Sequence, residues 1–193
     1  MKIKQQKQIK VFLTRQFGPE TGNALFARQE KALGTLLQTA GNKSLSQRMT
    51  LAQQIDPCIA LYQVLQSSFS QAEAYQYTQT YMQDHVAARQ HASMARMERV
   101  PGFYTLYSVI FCAVVRVMDL WECTLHREKN AFTVTIRKCL WHTACAENGC
   151  AELCRLFCEA DNTTYGGLRK IGFARTQTLG CGGDCCDFRF FRK

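Results

Sequence analysis

Proline is scarce in this sequence, and repeated or compositionally biased segments are absent. Three of the 193 residues are proline, while 47% are hydrophobic and 20% are charged. These proportions are typical of a globular protein and exclude the disordered, collagenous and coiled-coil classes. The length favours a single domain over residues 1–193.

The sequence also lacks a recognisable segment for membrane insertion or secretion. Its most apolar stretch, residues 103–121, contains Arg116 and Asp119, each of which would cost about 2.5–3.5 kcal/mol at the centre of a bilayer. We therefore predict a buried helix there. Residues 1–10 have neither the apolar run nor the small-residue cleavage site of a signal peptide. The expected location is cytoplasmic, where cysteines are thiols, metal ligands or catalytic groups rather than disulfides.

Positive charge is concentrated near the N-terminus. The formal net charge is +9, and residues 1–50 hold nine Lys or Arg residues against Glu20 and Glu30. The basic opening, residues 1–10, could bind phosphate or an anionic membrane surface, or form the solvated face of a helix. Since no aromatic residues alternate with the basic ones and no zinc-finger or helix-turn-helix signature is present, nucleic acid is not the expected partner.

Two patterns of apolar residues divide the chain near residue 120. Before it, apolar residues recur every three or four positions, which predicts helices over residues 1–119. Ser70, with Glu73 three residues later, has the spacing of a capping box at the start of a long polar helix that reaches about residue 99. Residues 120–193 form the cysteine-rich part, in which an alternating pattern predicts strands.

The alternating part predicts a hairpin of residues 122–126 and 132–137. Two further strands are expected at residues 171–179 and 186–190, with a helix at residues 146–159 before them. The predicted fold class is α+β, with N-terminal helices packed on a C-terminal four-stranded, mainly antiparallel sheet that has one or two inserted helices.

Nine of the eleven cysteines lie between Cys123 and Cys186. Cys150, Cys154 and Cys158 repeat every fourth residue and would form a stripe on one face of a helix. A zinc or iron–sulfur site needs about four such ligands around one point, but the paired C-x₂-C spacing of structural zinc sites is absent. The stripe is compatible with a non-enzymatic sensor module that binds a metal or small molecule, and also with small buried thiols. No particular cofactor is indicated.

Four blocks of sequence between residues 132 and 190 resemble a known family. They are the strand end Thr135–Cys139, the helix end Phe157–Asp161, the segment Ile171–Gly180 and the closing segment Cys185–Phe190. In this order and spacing they are similar to the L-2-amino-thiazoline-4-carboxylic acid hydrolase family. The resemblance implies hydrolytic opening of a cyclic isothiourea, the thiazoline ring, to an N-carbamoyl amino acid. It is silent on the first 120 residues.

The implied reaction requires particular residue types. It needs attack at a carbon bonded to sulfur and two nitrogens, a proton for the leaving group, and a cation that binds the substrate carboxylate. A guanidinium group suits the last role because it binds a carboxylate through two hydrogen bonds. The candidates within the matching blocks are Cys139, Cys158, Asp161 and Cys186 for catalysis, and Arg175 and Arg189 for substrate binding.

The spacing of these candidates suggests how they would cooperate. Cys158 and Asp161 are three residues apart and would share a helix face, which places an acid–base carboxyl group beside a thiol. Either strand-end cysteine, Cys139 or Cys186, could be the attacking thiolate or a ligand. Arg175 and Arg189 are expected on paired strands. If Arg175 faces the same side of the sheet as Arg189 and Asp187, that side would form a polar floor. The N-terminal helices would then cover this floor and enclose a pocket.

Each assignment has a structural alternative. Asp161 could shape a turn or cap the following segment, and Cys158 could be a packing residue. Arg175 could form a cross-strand ion pair with Asp187. His142 could be a general base for a thiolate, or it could simply pack beside its neighbours.

Overall fold

The computed structural model describes residues 3–39 and 41–193, so the first two residues of the basic opening lie outside the described residues. The described helices are α1 (Gln5–Phe17), α2 (Pro19–Gln38), α3 (Leu45–Thr50), α4 (Asp56–Gln66), α5 (Gln71–Tyr81), α6 (Ala88–Met97), α7 (Phe103–Val117), α8 (Leu140–Glu147) and α9 (Cys154–Tyr165). The strands are β1 (Trp121–Arg127), β2 (Ala131–Cys139), β3 (Ile171–Ala174) and β4 (Cys186–Arg192). This arrangement confirms the α+β prediction. None of the described helices combines the length and the apolar character needed to cross a membrane.

The N-terminal helices surround one hydrophobic core. Their apolar faces meet with side chains that are at most 5% exposed, among them Ile9, Leu13, Leu25, Leu33, Ile59 and Leu65. Helices α3 and α4 form one continuous rod through a π-helical turn, Leu51–Ile55, and α5 and α6 are joined in the same way by Met82–Ala87. The long polar helix predicted up to residue 99 is therefore present with a π-helical interruption.

The start of α5 confirms the predicted capping box. The Ser70 hydroxyl accepts a hydrogen bond from the Glu73 backbone N–H, and the Glu73 carboxylate accepts one from the Ser70 backbone N–H at 3.0 Å. These two bonds satisfy backbone donors that would otherwise lack a partner in the first turn. The Ser70 hydroxyl also donates to the Glu73 carboxylate, and this bond together with that of the Ser70 backbone N–H lowers the pKa of the Glu73 carboxyl group.

The sheet has the order β1-β2-β4-β3, and every neighbouring pair is antiparallel. Because side chains alternate between the two faces of a strand, Phe132 and Val134 of β2 share a face with Phe190 of β4. This inner face packs on α7 through Phe103 and Val115 to form a second core. The opposite, outer face carries Thr133 of β2 and Arg189 of β4, which pair in register.

The helix predicted to be buried at residues 103–121 is present as α7, but Leu106, Val109, Ile110 and Val117 on one of its faces are at least 50% exposed. Two further segments differ from the sequence prediction, and both for local reasons. The helix predicted at residues 146–159 is divided into α8 and α9, because the chain takes a positive φ of 67° at Gly149 and ends α8 there. Cys150 therefore precedes α9 and does not continue the stripe. Strand β3 ends at Ala174 rather than residue 179, since the Asp187 carboxylate accepts the backbone N–H groups of Thr176 and Gln177.

Candidate functional site

Five of the six candidate residues come together around α9. Cys158 and Asp161 lie on α9, Cys139 ends β2, Cys186 begins β4, and Arg175 follows β3. We call these five residues the α9 cluster. The thiols of Cys139 and Cys186 both lie close enough to Cys158 and Asp161 for their charges to raise the thiol pKa values. The segments that carry the family motifs therefore converge on the inner side of the sheet.

Asp161 and Arg175 form a loose ion pair at the centre of the α9 cluster. Arg175 Nη1 lies 3.6 Å from Asp161 Oδ2, and the Arg175 side chain is only 11% exposed. About a third of the Asp161 side chain remains accessible, but its carboxyl group is densely surrounded by protein atoms. Burial raises the pKa of this carboxyl group to about 7, although the Arg175 charge acts to lower it.

The position of Arg175 rules out the alternative ion pair with Asp187. The Arg175 guanidinium carbon lies 5.9 Å from the Phe173 ring centre and 5.8 Å from that of Phe188, on the inner side of the sheet. Asp187 instead accepts hydrogen bonds from the backbone and side chain of Thr176. The aromatic rings hold the Arg175 guanidinium in place through cation–π contacts.

Two buried polar atoms near α9 lack hydrogen-bond partners. They are Arg175 Nη1 and Thr178 Oγ1, and no other buried side-chain nitrogen or oxygen of the described residues is left in this state. Thr178 lies beside Cys158, whose thiol pKa it lowers, but its hydroxyl makes no hydrogen bond of normal geometry. Since buried polar groups are nearly always paired, both atoms have hydrogen-bonding capacity that the described residues do not use.

The three cysteines of the α9 cluster are protonated at neutral pH. Burial raises the pKa of Cys139 to about 11, although the backbone N–H groups of Trp141 and His142 at the start of α8 lower it. Burial raises the pKa of Cys186 to about 12, although the Leu179 backbone N–H, 3.4 Å from its sulfur, lowers it. These thiols would need a base before they could attack a substrate.

Cys158 belongs to a chain of thiols that runs away from the α9 cluster. Its hydrogen bond to Cys154 raises its pKa far above the ordinary value, and burial adds to the effect. Cys154 in turn interacts with Cys145, and Cys145 with Cys150. Within the described residues, no group of three or more His, Cys, Asp or Glu side chains is arranged to hold a metal ion. Of the predicted cysteine stripe, only Cys154 and Cys158 are hydrogen-bonded to each other, and Cys150 joins the chain of thiols through Cys145.

Arg189, the sixth candidate, lies apart from the others. It is on the outer face of the sheet, where its Nη2 donates to Glu128 Oε2 at 2.8 Å and its guanidinium stacks on Phe191. The condition for a polar floor shared by Arg175 and Arg189 is not met, because Arg175 follows the end of β3 and turns to the inner side.

A pair of tyrosines completes the surroundings of Asp161. The Tyr107 hydroxyl, from α7, donates to the Tyr165 hydroxyl of α9 at 2.8 Å. Burial raises the pKa of both phenols, to about 12 for Tyr165, and the Asp161 charge contributes. Sequence reasoning missed this pair. The spacing of four residues between Asp161 and Tyr165 was a usable signal, but nothing in the apolar sequence of α7 distinguished Tyr107.

A surface cavity lies directly behind the turn that covers Cys158. Its volume is about 480 Å³, and Tyr75, Arg155, Glu159 and Gly180 are among its lining residues. A Cβ atom at Gly180 would lie 2.8 Å from the Cys158 sulfur. The backbone of Gly180 therefore separates this cavity from the α9 cluster with no side chain between them.

Comparison with known proteins agrees with the geometry. No curated protein matches this chain. A family model described as L-2-amino-thiazoline-4-carboxylic acid hydrolase matches residues 47–190, which is well over half of the chain and includes the whole α9 cluster. The match begins in α3, so it extends the resemblance from the sheet into most of the helical part. The chain belongs to the L-2-amino-thiazoline-4-carboxylic acid hydrolase family.

Proposed function

We propose that this protein hydrolyses the C–S bond of a small cyclic isothiourea that carries a carboxylate, with the α9 cluster as its active site. The observation that carries this proposal is the buried Nη1 of Arg175, which makes no hydrogen bond and only a 3.6 Å ion pair with a carboxyl group of raised pKa. Membership of a hydrolase family supports the reaction class.

Arg175 is the proposed binding group for the substrate carboxylate. Its guanidinium lies beside two adjacent aromatic rings and is only loosely paired with Asp161, so it retains hydrogen-bonding capacity. A carboxylate would fill that capacity through charge-assisted hydrogen bonds. We propose no such role for Arg189, because its guanidinium is already paired with Glu128 on the outer face.

Asp161 is the proposed acid–base group. A carboxyl group with a pKa of about 7 is divided between its two protonation states at neutral pH, and this is the condition in which a side chain both accepts and returns protons efficiently. The nearby thiols cannot take this role, because burial raises their pKa values to about 11 and about 12 for Cys139 and Cys186.

Cys139 is the proposed nucleophile among the three thiols. The backbone N–H groups of Trp141 and His142 favour its thiolate. The Cys158 thiol is instead hydrogen-bonded to the Cys154 thiol, and this contact raises the Cys158 pKa. The Cys139 sulfur would attack the ring carbon that bears sulfur and two nitrogens, with the thiol proton passing to Asp161. The ring C–S bond would break, and Asp161 would return that proton to the leaving sulfur. Water would then displace Cys139 and leave an N-carbamoyl amino acid with a free thiol. Cys158 and Cys186 would line the site as neutral thiols.

The proposal is tested by following thiol release from 2-amino-thiazoline-4-carboxylate. Wild-type protein should release one thiol per substrate, and Asp161→Asn should lower kcat by about 10²- to 10⁴-fold, the usual contribution of an acid–base group. Asp184→Asn is a matched control, because Asp184 is exposed in the turn before β4. Wild-type kcat/KM should increase with pH about a midpoint near 7.

Two results would reject the proposed site. One is full activity of Asp161→Asn, and the other is equal loss in the Asp161 and Asp184 variants. Cys139→Ser separates the nucleophile from the rest of the proposal: if it retains wild-type turnover, water rather than Cys139 attacks, and Asp161 activates that water.

A further inference from the structure

The outer face of α7 is the most concentrated area of exposed aliphatic surface on the described chain. Leu106, Val109 and Ile110 are each at least 50% exposed, and Val117 is 84% exposed. Met97 and Val100, just before the helix, are exposed as well. These six account for most of the large hydrophobic side chains that the described residues leave exposed.

This outer face of α7 does not contribute to the hydrophobic cores of the described chain. Helix α7 already buries its opposite side, including Phe103, Cys112 and Val115, against the inner face of the sheet. The exposed positions 106, 109, 110, 113 and 117 follow the three- and four-residue spacing of a single stripe. A helix that is apolar on all sides is normally covered on all sides, and no described element covers this one.

The chemistry of the stripe fits a second copy of the same chain. Leu106, Val109, Ile110, Ala113 and Val117 are all aliphatic, so two copies related by a twofold axis would bring these apolar side chains together, with the exposed Arg116 at the border of the contact. Ala113 is small and exposed at the centre of the stripe, which would let two helices approach closely.

The exposed area is sufficient for such a contact. If a large aliphatic side chain has about 200 Å² of surface and half is exposed, six of them provide roughly 600 Å² per chain, or about 1,200 Å² for two chains. This value lies at the lower end of specific, stable interfaces and above ordinary crystal contacts. We propose that α7 forms the interface of a homodimer, in which the outer faces of two α7 helices pack against each other.

The dimer interface would lie directly behind the proposed active site. Leu106 is on the outer side of α7, and the next residue, Tyr107, reaches inward to Tyr165 beside Asp161. Dimer formation would therefore stabilise the position of α7, the helix whose Tyr107 lies near Asp161. The interface does not depend on the proposed reaction, and it can be tested without substrate.

Sedimentation equilibrium over a range of protein concentrations tests this inference. Wild-type protein should be a dimer, and Ile110→Glu should be a monomer with an unchanged circular dichroism spectrum. Val11→Glu is the matched control, because Val11 is 50% exposed on α1, a helix that packs in the other hydrophobic core and not with α7. That control should remain a dimer. The milder variant Ile110→Ser should raise the dimer dissociation constant at least about tenfold. It keeps the inference testable if Ile110→Glu does not fold.

Three outcomes would overturn the homodimer. One is a wild-type monomer at all concentrations, and another is an Ile110→Ser dimer as tight as the wild type. The third is a wild-type monomer that floats with phosphatidylglycerol vesicles while the Ile110→Ser protein does not. That result would mean that the stripe binds a lipid surface.

Discussion

Asp161 is the residue in which burial and the proposed function are most closely connected. Its carboxyl group is held in a densely packed environment, with Arg175 as its nearby cation. Burial favours the neutral acid, and the pKa of about 7 shows that this effect outweighs the attraction of Arg175. A carboxyl group of this kind lowers the stability of the protein when it is charged, and such a cost is common at functional sites.

This cost predicts a specific pH dependence of stability. The native state binds the Asp161 proton up to about pH 7, whereas the unfolded state releases it near 3.8. The contribution of this group to stability is therefore fully present below pH 3.8 and is lost as the pH rises through 7. The Asp161→Asn protein does not lose this contribution as the pH rises. The difference between its Tm and that of the wild type should therefore increase from pH 4.5 to pH 8. Thermal unfolding followed by circular dichroism at several pH values measures the difference.

The Asp184→Asn protein serves as the reference for this series. Asp184 is exposed, so its Tm difference from the wild type should stay nearly constant with pH. A constant difference for Asp161→Asn as well would mean that the Asp161 carboxyl group is not buried as the structure indicates.

At the residue scale, five of the six candidates in the motif blocks come together in the structure. Cys158 and Asp161 lie within α9, and Cys139 and Cys186 lie at the ends of strands that pack near this helix. Arg189 could not be separated from Arg175 by sequence, because the side on which each points depends on where β3 ends. That end is set by the Asp187 hydrogen bonds, which require the folded chain.

At the scale of elements, the turn at residues 178–181 is the part most closely fitted to the site. Thr178 and Gly180 place the backbone of this turn directly against Cys154 and Cys158 of α9. The hypothetical Gly180 Cβ would also lie 3.0 Å from backbone atoms of Cys154. Contact this close to a backbone cannot be relieved by rotation of a side chain, so the turn would have to move.

This fit predicts that Gly180→Ala destabilises the protein by about 1–3 kcal/mol, the usual cost of overpacking. Gly34→Ala is the opposite case, because Gly34 lies within α2 with no atom near its hypothetical Cβ. Alanine there should stabilise the protein by about 0.5–1 kcal/mol through helix propensity. Urea denaturation gives both values, and a Gly180→Ala protein as stable as the wild type would show that the turn is not in close contact with α9.

Element boundaries were predicted well where local chemistry sets them. The capping box of Ser70 and Glu73 fixes the start of α5, and both residues are visible in the sequence. The division between α8 and α9 has an equally local cause, the positive φ at Gly149. It was missed because the cysteine stripe of residues 150–158 suggested one uninterrupted helix. The π-helical turns have no comparable sequence signal, since they depend on packing between helices.

At the scale of the whole molecule, the α9 cluster lies where two hydrophobic cores meet. Cys158 packs against the core of the N-terminal helices, whereas Cys139 and Cys186 belong to the core between α7 and the sheet. The family match covers both parts, which agrees with a site that neither part forms alone. Helix α9 connects the two cores and presents Asp161 between them.

The central claim is that Arg175, and not Arg189, holds the substrate carboxylate beside Asp161. The most direct measurement is kcat/KM for 2-amino-thiazoline-4-carboxylate and for the same ring without its carboxylate, with wild-type, Arg175→Met and Arg189→Met proteins. Because a hydrogen bond to a charged group contributes about 1.5–3 kcal/mol, Arg175→Met should lower kcat/KM about 10- to 100-fold more for the carboxylate substrate than for the ring without it. Arg189→Met should leave both values unchanged. An equal effect of Arg175→Met on both substrates, or a larger effect of Arg189→Met, would contradict the proposed site.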